Sequence, residues 1–352
     1  MTVQQDADAA AGKGRPALPR PGRGLLVALL LLGLVEASLH TNAFLYRFRS
    51  VFAAGRALDK VLYVESHRPS LLILGNSRAD NGFDPRTVER TLGIALPRGA
   101  FNLGLPGANA RVLGGILLRL DRRGLLGPQG VSRVVLSLDE ALVQANDSLG
   151  QDVFFASPGQ MWADGQALDA FRATFRLYGY SENFAQLREP AVLARFLHAL
   201  VHDTAPVGGE AADHLGYRAG FGALQDLGSA LRQEAEAVAP PDPVELAWLW
   251  RMLDLLAARR VQVAVVFPPL LNRQELYLAD GPGSAPYHAI RAELQRRGIA
   301  SFALDSPPHD PAEFINPGHL DDRGAQRYSA LLGRALARLW GGGTAAAGGR
   351  AP

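Results

Sequence analysis

Two patterns of apolar and polar residues alternate along the chain, and together they predict an α/β fold. Longer segments with apolar residues at helical spacing, such as NARVLGGILLRLDRRG and PVELAWLWRMLDLLAARR, separate several short apolar runs. The short runs cover 71–74, 100–103, 134–138, 261–267 and 300–304. Continuous apolar strands that alternate with helices are typical of a parallel sheet with helices on both faces.

The alternation stops between 151 and 243. Aromatic residues lie there among helical fragments and glycine-containing turns, and no segment has the pattern of a strand. We interpret 151–243 as a helical cap inserted into a single α/β domain that spans 70–340. The tail 341–352, GGGTAAAGGRAP, has the low complexity of a disordered segment.

The N-terminus combines a basic flank with an apolar run. Residues 1–23 are rich in Ala, Gly and Pro, carry four basic side chains, and are predicted to be disordered and cytoplasmic; GLLVALLLLGLV follows. One interpretation is a signal peptide cleaved near Ala37. We favour an uncleaved transmembrane signal-anchor over 24–45, because ASLHTNAFLYRF stays largely apolar. Both place the domain in the periplasm or outside the cell, with a helical stalk at 46–69.

Composition excludes several kinds of chemistry. The 352 residues carry a formal net charge of only +2, spread along the chain, so charge gives no reason to expect nucleic acid as a partner. Cysteine is absent, which excludes disulfide bonds, thiolate nucleophiles and cysteine-ligated zinc. Neither a metal nor an organic cofactor is expected.

The stretch SLLILGNSRADNGFDP, residues 70–85, holds the first candidate for chemistry. Its apolar run ends at Gly75, and Ser77 follows at the carboxyl end of the predicted strand, where open parallel sheets bind ligands. Two interpretations stay open. Ser77 is either a nucleophile or a turn residue whose hydroxyl caps the backbone.

Two further segments bear on that choice. FNLGLPGANARVLGG predicts a strand, a glycine-containing loop and a helix N-terminus, a combination that suits an oxyanion. FINPGHLDDRGAQRYS places His319 in a Pro-Gly loop before a helix. Asn316 precedes His319 by three residues in the same turn, so its side-chain oxygen can orient the imidazole ring.

Taken together, the three segments resemble the SGNH/GDSL hydrolase family, and especially its membrane-anchored bacterial branch of D-alanyl-lipoteichoic-acid-type and exopolysaccharide-modifying proteins. The resemblance rests on GNSR, NLGLPGA and NPGHL in that order, and it implies a three-layer flavodoxin-like fold. It also implies that Ser77 is the nucleophile and His319 the catalytic histidine. Gly107, with Gly104 as the second choice, and the Ser77 N–H would supply the oxyanion hole.

Two positions depart from the family pattern. Asn316 stands where the family commonly has an aspartate, and it can orient His319 without stabilising its positive charge. Asp139 lies near the place where the family offers an asparagine to the oxyanion. A charged Asp139 would repel that oxyanion, so it is misaligned, protonated, or used to orient another group.

The resemblance implies a serine esterase or acyltransferase acting on acyl esters, most simply O-acetyl esters, of a cell-envelope or secreted polysaccharide. Transfer would suggest a membrane-bound O-acyltransferase partner. The rival hypothesis is a non-catalytic protein that binds a glycan or a partner enzyme. The distance from Ser77 Oγ to His319 Nε2 separates the two hypotheses.

Two weaker expectations complete the sequence analysis. The cap is predicted to be mobile and to offer Trp162, Tyr178 and Tyr180 to a sugar or acyl chain beside Ser77. His202 and His214 lie near three carboxylates in HDTAPVGGEAADH. We favour a solvated loop over a metal site there, because the segment lacks helical ligand spacing such as H-E-x-x-H.

Overall fold

A computed structural model describes most of the chain. The described residues are 22–48, 55–146, 148, 151–202, 212–220, 239–271, 277–278, 283–305 and 307–341. The predicted disordered segments fall almost entirely outside them, at 1–21 and 342–352.

A five-stranded, all-parallel sheet forms the centre of the molecule, with strand order β2-β1-β3-β4-β5. The strands are β1 Leu71–Gly75, β2 Ala100–Gly104, β3 Arg133–Ser137, β4 Gln262–Val266 and β5 Ala300–Phe302. All five predicted strands are present with ends shifted by no more than two residues. The predicted α/β class is therefore confirmed.

Fifteen α-helices lie in the described residues. They are α1 Arg23–Leu39, α2 Asn42–Phe48, α3 Gly55–His67, α4 Ser77–Gly82, α5 Pro85–Leu92, α6 Ala110–Arg122, α7 Asp152–Phe155, α8 Pro158–Ala163, α9 Ala167–Thr174, α10 Arg176–Gly179, α11 Ser181–Ala185, α12 Pro190–Val201, α13 Pro243–Ala258, α14 Ala285–Arg296 and α15 Asp322–Gly341. A hairpin of β6 Phe314–Asn316 and β7 His319–Leu320 precedes α15.

Alternate side chains of the strands point into two apolar layers, because successive residues of a strand face opposite sides of the sheet. Leu72 and Leu74 of β1 pack with buried residues of α3, α6 and α13. Leu71 and Ile73 of the same strand pack with α5 and α15. The sheet is therefore covered on both faces, as the uninterrupted apolar strands predict.

The N-terminal segment differs from the predicted 24–45 helix and 46–69 stalk. Helix α1 ends at Leu39, and α2 begins at Asn42. Among the residues described, no helix combines the length and the apolar character that crossing a membrane requires. Helix α3 is not a free-standing stalk, because Leu58, Val61 and Leu62 are buried in the layer over β1.

The insertion is helical where it is described, as predicted, but it packs mainly away from Ser77. Helix α7 lies against α6, and α10 lies against α1. Tyr180 is fully buried and stacks on Phe154 with ring centroids 4.7 Å apart, so its predicted contact with substrate is wrong. The segment 212–220 instead reaches the sheet edge, where Leu215 accepts a 2.8 Å hydrogen bond from the Asn102 N–H.

Candidate active site

Ser77 lies immediately beyond the carboxyl end of β1, as predicted, and is the first residue of α4. Asn76 caps this helix, because its Oδ1 accepts a 3.0 Å hydrogen bond from the Arg78 N–H. The backbone therefore turns sharply from strand to helix at Ser77. This turn directs the start of α4 towards the β6–β7 hairpin.

The β6–β7 hairpin carries His319 and is fixed at two points. The carbonyl of Pro317 in its turn accepts a 2.8 Å hydrogen bond from the Leu271 N–H. The Asn81 side chain donates to the Leu320 carbonyl at 3.2 Å, which ties β7 to α4. These contacts hold the imidazole of His319 above the N-terminus of α4.

The side chains of Ser77, His319 and Asn316 are linked in series by hydrogen bonds. The distance from Ser77 Oγ to His319 Nε2 is 2.8 Å, and the distance from His319 Nδ1 to Asn316 Oδ1 is also 2.8 Å. Asn316 Oδ1 accepts from the Gly318 N–H as well, which identifies it as the amide oxygen. Nδ1 must therefore carry the ring proton, and Nε2 is left to accept the Ser77 proton.

The surroundings of His319 favour the neutral imidazole. Burial, and after it the positive charges of Arg78 and Arg218, lower the pKa of His319 to about 4 against the opposing effect of Asp80. At neutral pH the ring is consequently uncharged. A neutral Nε2 beside a hydroxyl has the protonation state that a general base needs.

Asp139 does not contribute a donor for an oxyanion; it orients another group, which is one of the three alternatives left open above. Asn76 Nδ2 donates to both carboxylate oxygens of Asp139 at 2.8 Å. Asp139 Oδ1 also accepts from the Leu142 N–H at 3.0 Å. Because both oxygens of Asp139 accept from these donors, Asp139 holds Asn76 and with it the turn at Ser77. Burial raises the pKa of Asp139.

Arg78 provides the positive charge beneath His319. Its guanidinium donates to both oxygens of Glu140 at 3.1 and 3.0 Å and lies 3.3 Å from Asp139. Such a two-point contact fixes the plane of the guanidinium. A Cβ atom built on Gly318 would lie 3.2 Å from Arg78 Nε, so the hairpin rests directly on this side chain.

Gly107 lies in a tight turn that follows β2. The Ala108 N–H donates to the Leu105 carbonyl at 3.0 Å, and Gly107 has φ +74° after Pro106, which matches the glycine position of a type II turn. Gln151 Nε2 donates to the Pro106 carbonyl at 2.5 Å. Because this peptide is trans, the Gly107 N–H points away from Gln151.

Gly104 has a different role from the predicted oxyanion donor. Its N–H already donates to Asn102 Oδ1 at 2.7 Å, so this donor is engaged. A Cβ atom on Gly104 would lie 2.4 Å from the Asp80 nitrogen. Glycine is therefore required at this position because the backbone of α4 passes directly over the end of β2.

A buried ion pair lies beneath α4. Lys60 of α3 is fully buried, with Nζ 2.6 Å from Asp80 Oδ1 and 2.5 Å from the Gly104 carbonyl. Burial lowers the pKa of Lys60 to about 8, although the neighbouring Asp80 opposes this effect. The pair joins α3, α4 and β2 one helical turn beyond Ser77.

The segment 212–220 adds a further basic group at this edge. The Arg218 N–H donates to the Asp80 carbonyl at 2.9 Å, and its charge contributes to the lowered pKa of His319. Tyr217 donates to Asp322 at 2.5 Å, which fastens the segment to the start of α15. The exposed Arg218 side chain is thus part of the surroundings of His319.

The predicted loop at 202–214 is only partly described. Asp203 and Glu210 lie outside the described residues. Within the ranges given above, no group of three or more His, Asp or Glu side chains is arranged to hold a metal ion.

Sequence reasoning missed the residues that support Ser77, although three of them could have been found from the sequence. Asn76 and Arg78 flank Ser77 in the chain, and Lys60 lies on the helix face of Ala57, Val61 and Val64. A lysine on an apolar helix face predicts a buried ionic partner. Glu140 and Gln151 gave no comparable local signal.

A scan of the chain against protein-family models gave no match, and a search of curated proteins gave none either.

Proposed function

We propose that the protein is a serine esterase or O-acyltransferase in which Ser77 is the nucleophile. The observation that carries this proposal is the row of contacts from Ser77 Oγ through His319 to Asn316, with 2.8 Å at each step. Nucleophile, base and orienting group are arranged in this way in acyl-transfer enzymes. The short contact favours the enzyme over the rival binding protein, for which we expected a wide separation.

The proposed reaction has two stages. Ser77 Oγ attacks the acyl carbonyl carbon while its proton passes to His319 Nε2. The tetrahedral intermediate then expels the alcohol oxygen of the sugar, which takes the proton back from His319, and an acyl-serine remains. In the second stage water or an acceptor hydroxyl attacks that ester and gives its proton to His319. The bond from the acyl carbon to Ser77 Oγ then breaks, and His319 returns the proton to Ser77 Oγ, which restores the starting state.

Backbone N–H groups are the proposed oxyanion donors. Ser77 begins α4, and the first N–H groups of a helix have no carbonyl partner within it. We propose that the N–H groups of Ser77 and Gly107 bind the oxyanion, with the second oriented by the contact between Gln151 and the Pro106 carbonyl. Asp139 supports this arrangement indirectly by holding Asn76.

We further propose membership of the SGNH/GDSL hydrolase family and a flavodoxin-like topology. The strand order β2-β1-β3-β4-β5 is the flavodoxin-like order, in which the ligand site lies where β1 and β3 diverge. The substrate would be an acyl ester, most simply an O-acetyl ester, of a cell-envelope or secreted polysaccharide. A membrane-bound O-acyltransferase is the proposed partner if the acyl group is transferred.

Attachment to the outer side of a membrane through α1 is part of the same proposal. The basic flank and the apolar sequence of α1 support it, because this order is typical of exported proteins that stay anchored. Fractionation of cells and N-terminal sequencing of the mature protein test this part. A soluble product that begins near Ser38 would contradict the anchor.

A fluorophosphonate probe tests the proposed nucleophile. We expect the full-length protein to be labelled at Ser77, and Ser77→Ala and His319→Ala to lose the label. His309→Ala removes an exposed loop histidine and is the matched control, which should label like the wild type. Labelling should persist below pH 6 and fall only near pH 4, where His319 becomes protonated.

Failure of this experiment has a clear meaning. If the folded wild type neither labels at Ser77 nor hydrolyses aryl acetates or acetylated polysaccharides, the esterase proposal is wrong. Ser77 is then a turn residue of a binding protein.

A further inference from the structure

Helix α1 exposes apolar side chains on every side. Nine of its seventeen residues are large, apolar and exposed: Leu25, Leu26, Val27, Leu29, Leu30, Leu31, Leu32, Leu34 and Val35. An amphipathic helix would bury one face against the protein. The greater part of α1 therefore requires an apolar environment that the described protein does not supply.

The insertion exposes a second apolar surface. Phe171, Phe175 and Tyr178, here called the aromatic patch, are each between 40% and 48% exposed, and Trp162 of the neighbouring helix α8 is 48% exposed. The rings of Phe171 and Phe175 lie 4.6 Å apart, and those of Phe171 and Tyr178 lie 5.7 Å apart. Contiguous exposed aromatic groups of this kind mark a surface that contacts something else.

The two surfaces are joined where α1 ends. Glu36 accepts hydrogen bonds from the N–H groups of Arg176 and Leu177 at 2.8 and 2.9 Å. The Arg176 guanidinium donates in return to the Leu39 carbonyl at 3.0 Å. Residues 176 and 177 lie between Phe175 and Tyr178, so these bonds fasten the end of α1 directly to the aromatic patch.

A second set of bonds places α12 beside the same end of the molecule. Arg47 of α2 donates to the carbonyls of Ala199 and Leu200 at 2.7 and 2.9 Å. Helix α12 exposes Leu193, Leu197, Leu200 and Val201. It also exposes Arg195, and Arg188 is exposed shortly before α12 begins.

We propose that the aromatic patch lies in the headgroup zone of a phospholipid bilayer and that helix α1 lies in the hydrocarbon region of the same bilayer. This inference rests on the proposed membrane attachment. Trp and Tyr favour the boundary between headgroups and hydrocarbon. Arg188 and Arg195 complement anionic phosphates. Because one helix alone leaves the domain free to tilt, the patch would fix the orientation of the domain.

The absence of cysteine from the chain makes a direct test possible. Single cysteines replacing Phe171 and Tyr178 in the full-length protein are labelled with a nitroxide, and the protein is reconstituted into phosphatidylcholine–phosphatidylglycerol vesicles. Leu30→Cys reports on α1, and Arg291→Cys, on an exposed position of α14, is the aqueous control. Relaxation by oxygen reports lipid contact, and relaxation by a water-soluble nickel chelate reports water.

We expect labels at 171 and 178 to be relaxed more by oxygen and less by nickel than the label at 291. If 171 and 178 resemble 291 while 30 lies in lipid, the inference is wrong and attachment through α1 stands. If 30 is also in water, both are wrong. Labels at 171 and 178 that are shielded from both reagents would indicate coverage by protein, such as a second copy, and would also overturn the inference. Fluorophosphonate labelling of each sample reports on Ser77 independently.

Discussion

At the scale of single residues, the unusual feature of the site is an amide where a carboxylate is common. Asn316 Oδ1 is fixed as an acceptor by the Gly318 N–H, so the amide selects the same tautomer of His319 that a carboxylate would select. It lacks the negative charge that stabilises imidazolium. The low pKa of His319 agrees with this, because burial and Arg78 act on a ring whose Nδ1 partner is neutral.

Asn316→Asp tests this interpretation. A carboxylate at Nδ1 should raise the pKa of His319 by about 1–3 units, so the acidic limb of kcat/KM should move up from near pH 4 by that amount. The plateau rate should also rise. The gain should stay below the ~10⁴-fold loss that follows when asparagine replaces the aspartate of a Ser-His-Asp triad. In that triad the introduced amide also imposes the wrong tautomer of the histidine, whereas Asn316 does not.

The pH profile with an aryl acetate, measured for wild type and Asn316→Asp, decides the question. Asn316→Ala is the control that removes the orienting oxygen without adding charge, and its rate should fall. An unchanged acidic limb in Asn316→Asp would mean that the carboxylate does not reach His319.

At the scale of elements, the contact of α3 with α4 depends on Asp80, which lies 2.6 Å from the buried Lys60 ammonium and 3.3 Å from the Arg56 guanidinium. Lys60→Met leaves the buried Asp80 carboxylate with Arg56 but without its ammonium partner, which should lower the free energy of unfolding by up to about 3–5 kcal/mol. Lys60→Met with Asp80→Asn should recover part of that loss, since the buried carboxylate charge is gone. Arg297→Met breaks surface pairs with Asp254 and Glu293 and removes the guanidinium from the Trp250 ring. Because these contacts are solvent-exposed, the substitution should cost only about 1 kcal/mol.

Urea unfolding of the four proteins measures these values. If Lys60→Met costs as little as Arg297→Met, Lys60 and Asp80 do not form a buried ionic contact. Equal losses in Lys60→Met and in the double variant would mean that lost packing, rather than the unpaired charge, is responsible.

The approach of α4 to β2 is the second contact between elements that a substitution tests. Gly104→Ala places a Cβ 2.4 Å from the Asp80 nitrogen, so the backbone of α4 must move. Overpacking of this kind costs about 1–3 kcal/mol, and displacement of Ser77 from His319 should lower kcat more than KM. Gly159→Ala, where no atom lies within 4 Å of the new Cβ, is the control. Wild-type kcat in Gly104→Ala would contradict the close approach.

The elements themselves were largely predictable from the sequence, and the reason is physical. Buried parallel strands need continuous apolar runs, so LLIL at 71–74 and VVLSL at 134–138 predicted β1 and β3. His319 and Asn316 were readable because they lie three residues apart in one turn. The docking of α3 and of the insertion was not predictable, because those contacts join residues that are distant in sequence and obey no local period.

The same limit applies at the scale of the whole molecule. The sequence predicts a helical stalk at 46–69 and a cap beside Ser77, whereas the structure packs α3 on the sheet and directs α7–α10 towards α6 and α1. The segment 212–220, which carries no strong pattern, is the part of the insertion that reaches the site. The packing of these surfaces depends on which arrangement of the whole chain buries the most apolar area. The sequence of a single segment does not contain that information.

The stability of the whole molecule should depend on pH through His319. Its pKa is about 4 in the folded protein, below the ordinary value of 6.5, so the unfolded chain binds more protons between these pH values. The contribution of His319 is therefore fully present above about pH 6.5 and is lost as pH falls towards 4, by at most about 3 kcal/mol. Protonation of buried Asp139, whose pKa is raised, acts in the opposite sense. Asp139 is common to all variants, so the differences between them report on His319 alone.

The slope of unfolding free energy against pH, measured between pH 4 and 6.5, should be smaller in His319→Gln than in wild type, with His309→Gln as the control for the substitution. Equal slopes in wild type and His319→Gln would show that the imidazole is not held neutral in the folded protein, and with it the proposed general base would lose its physical basis.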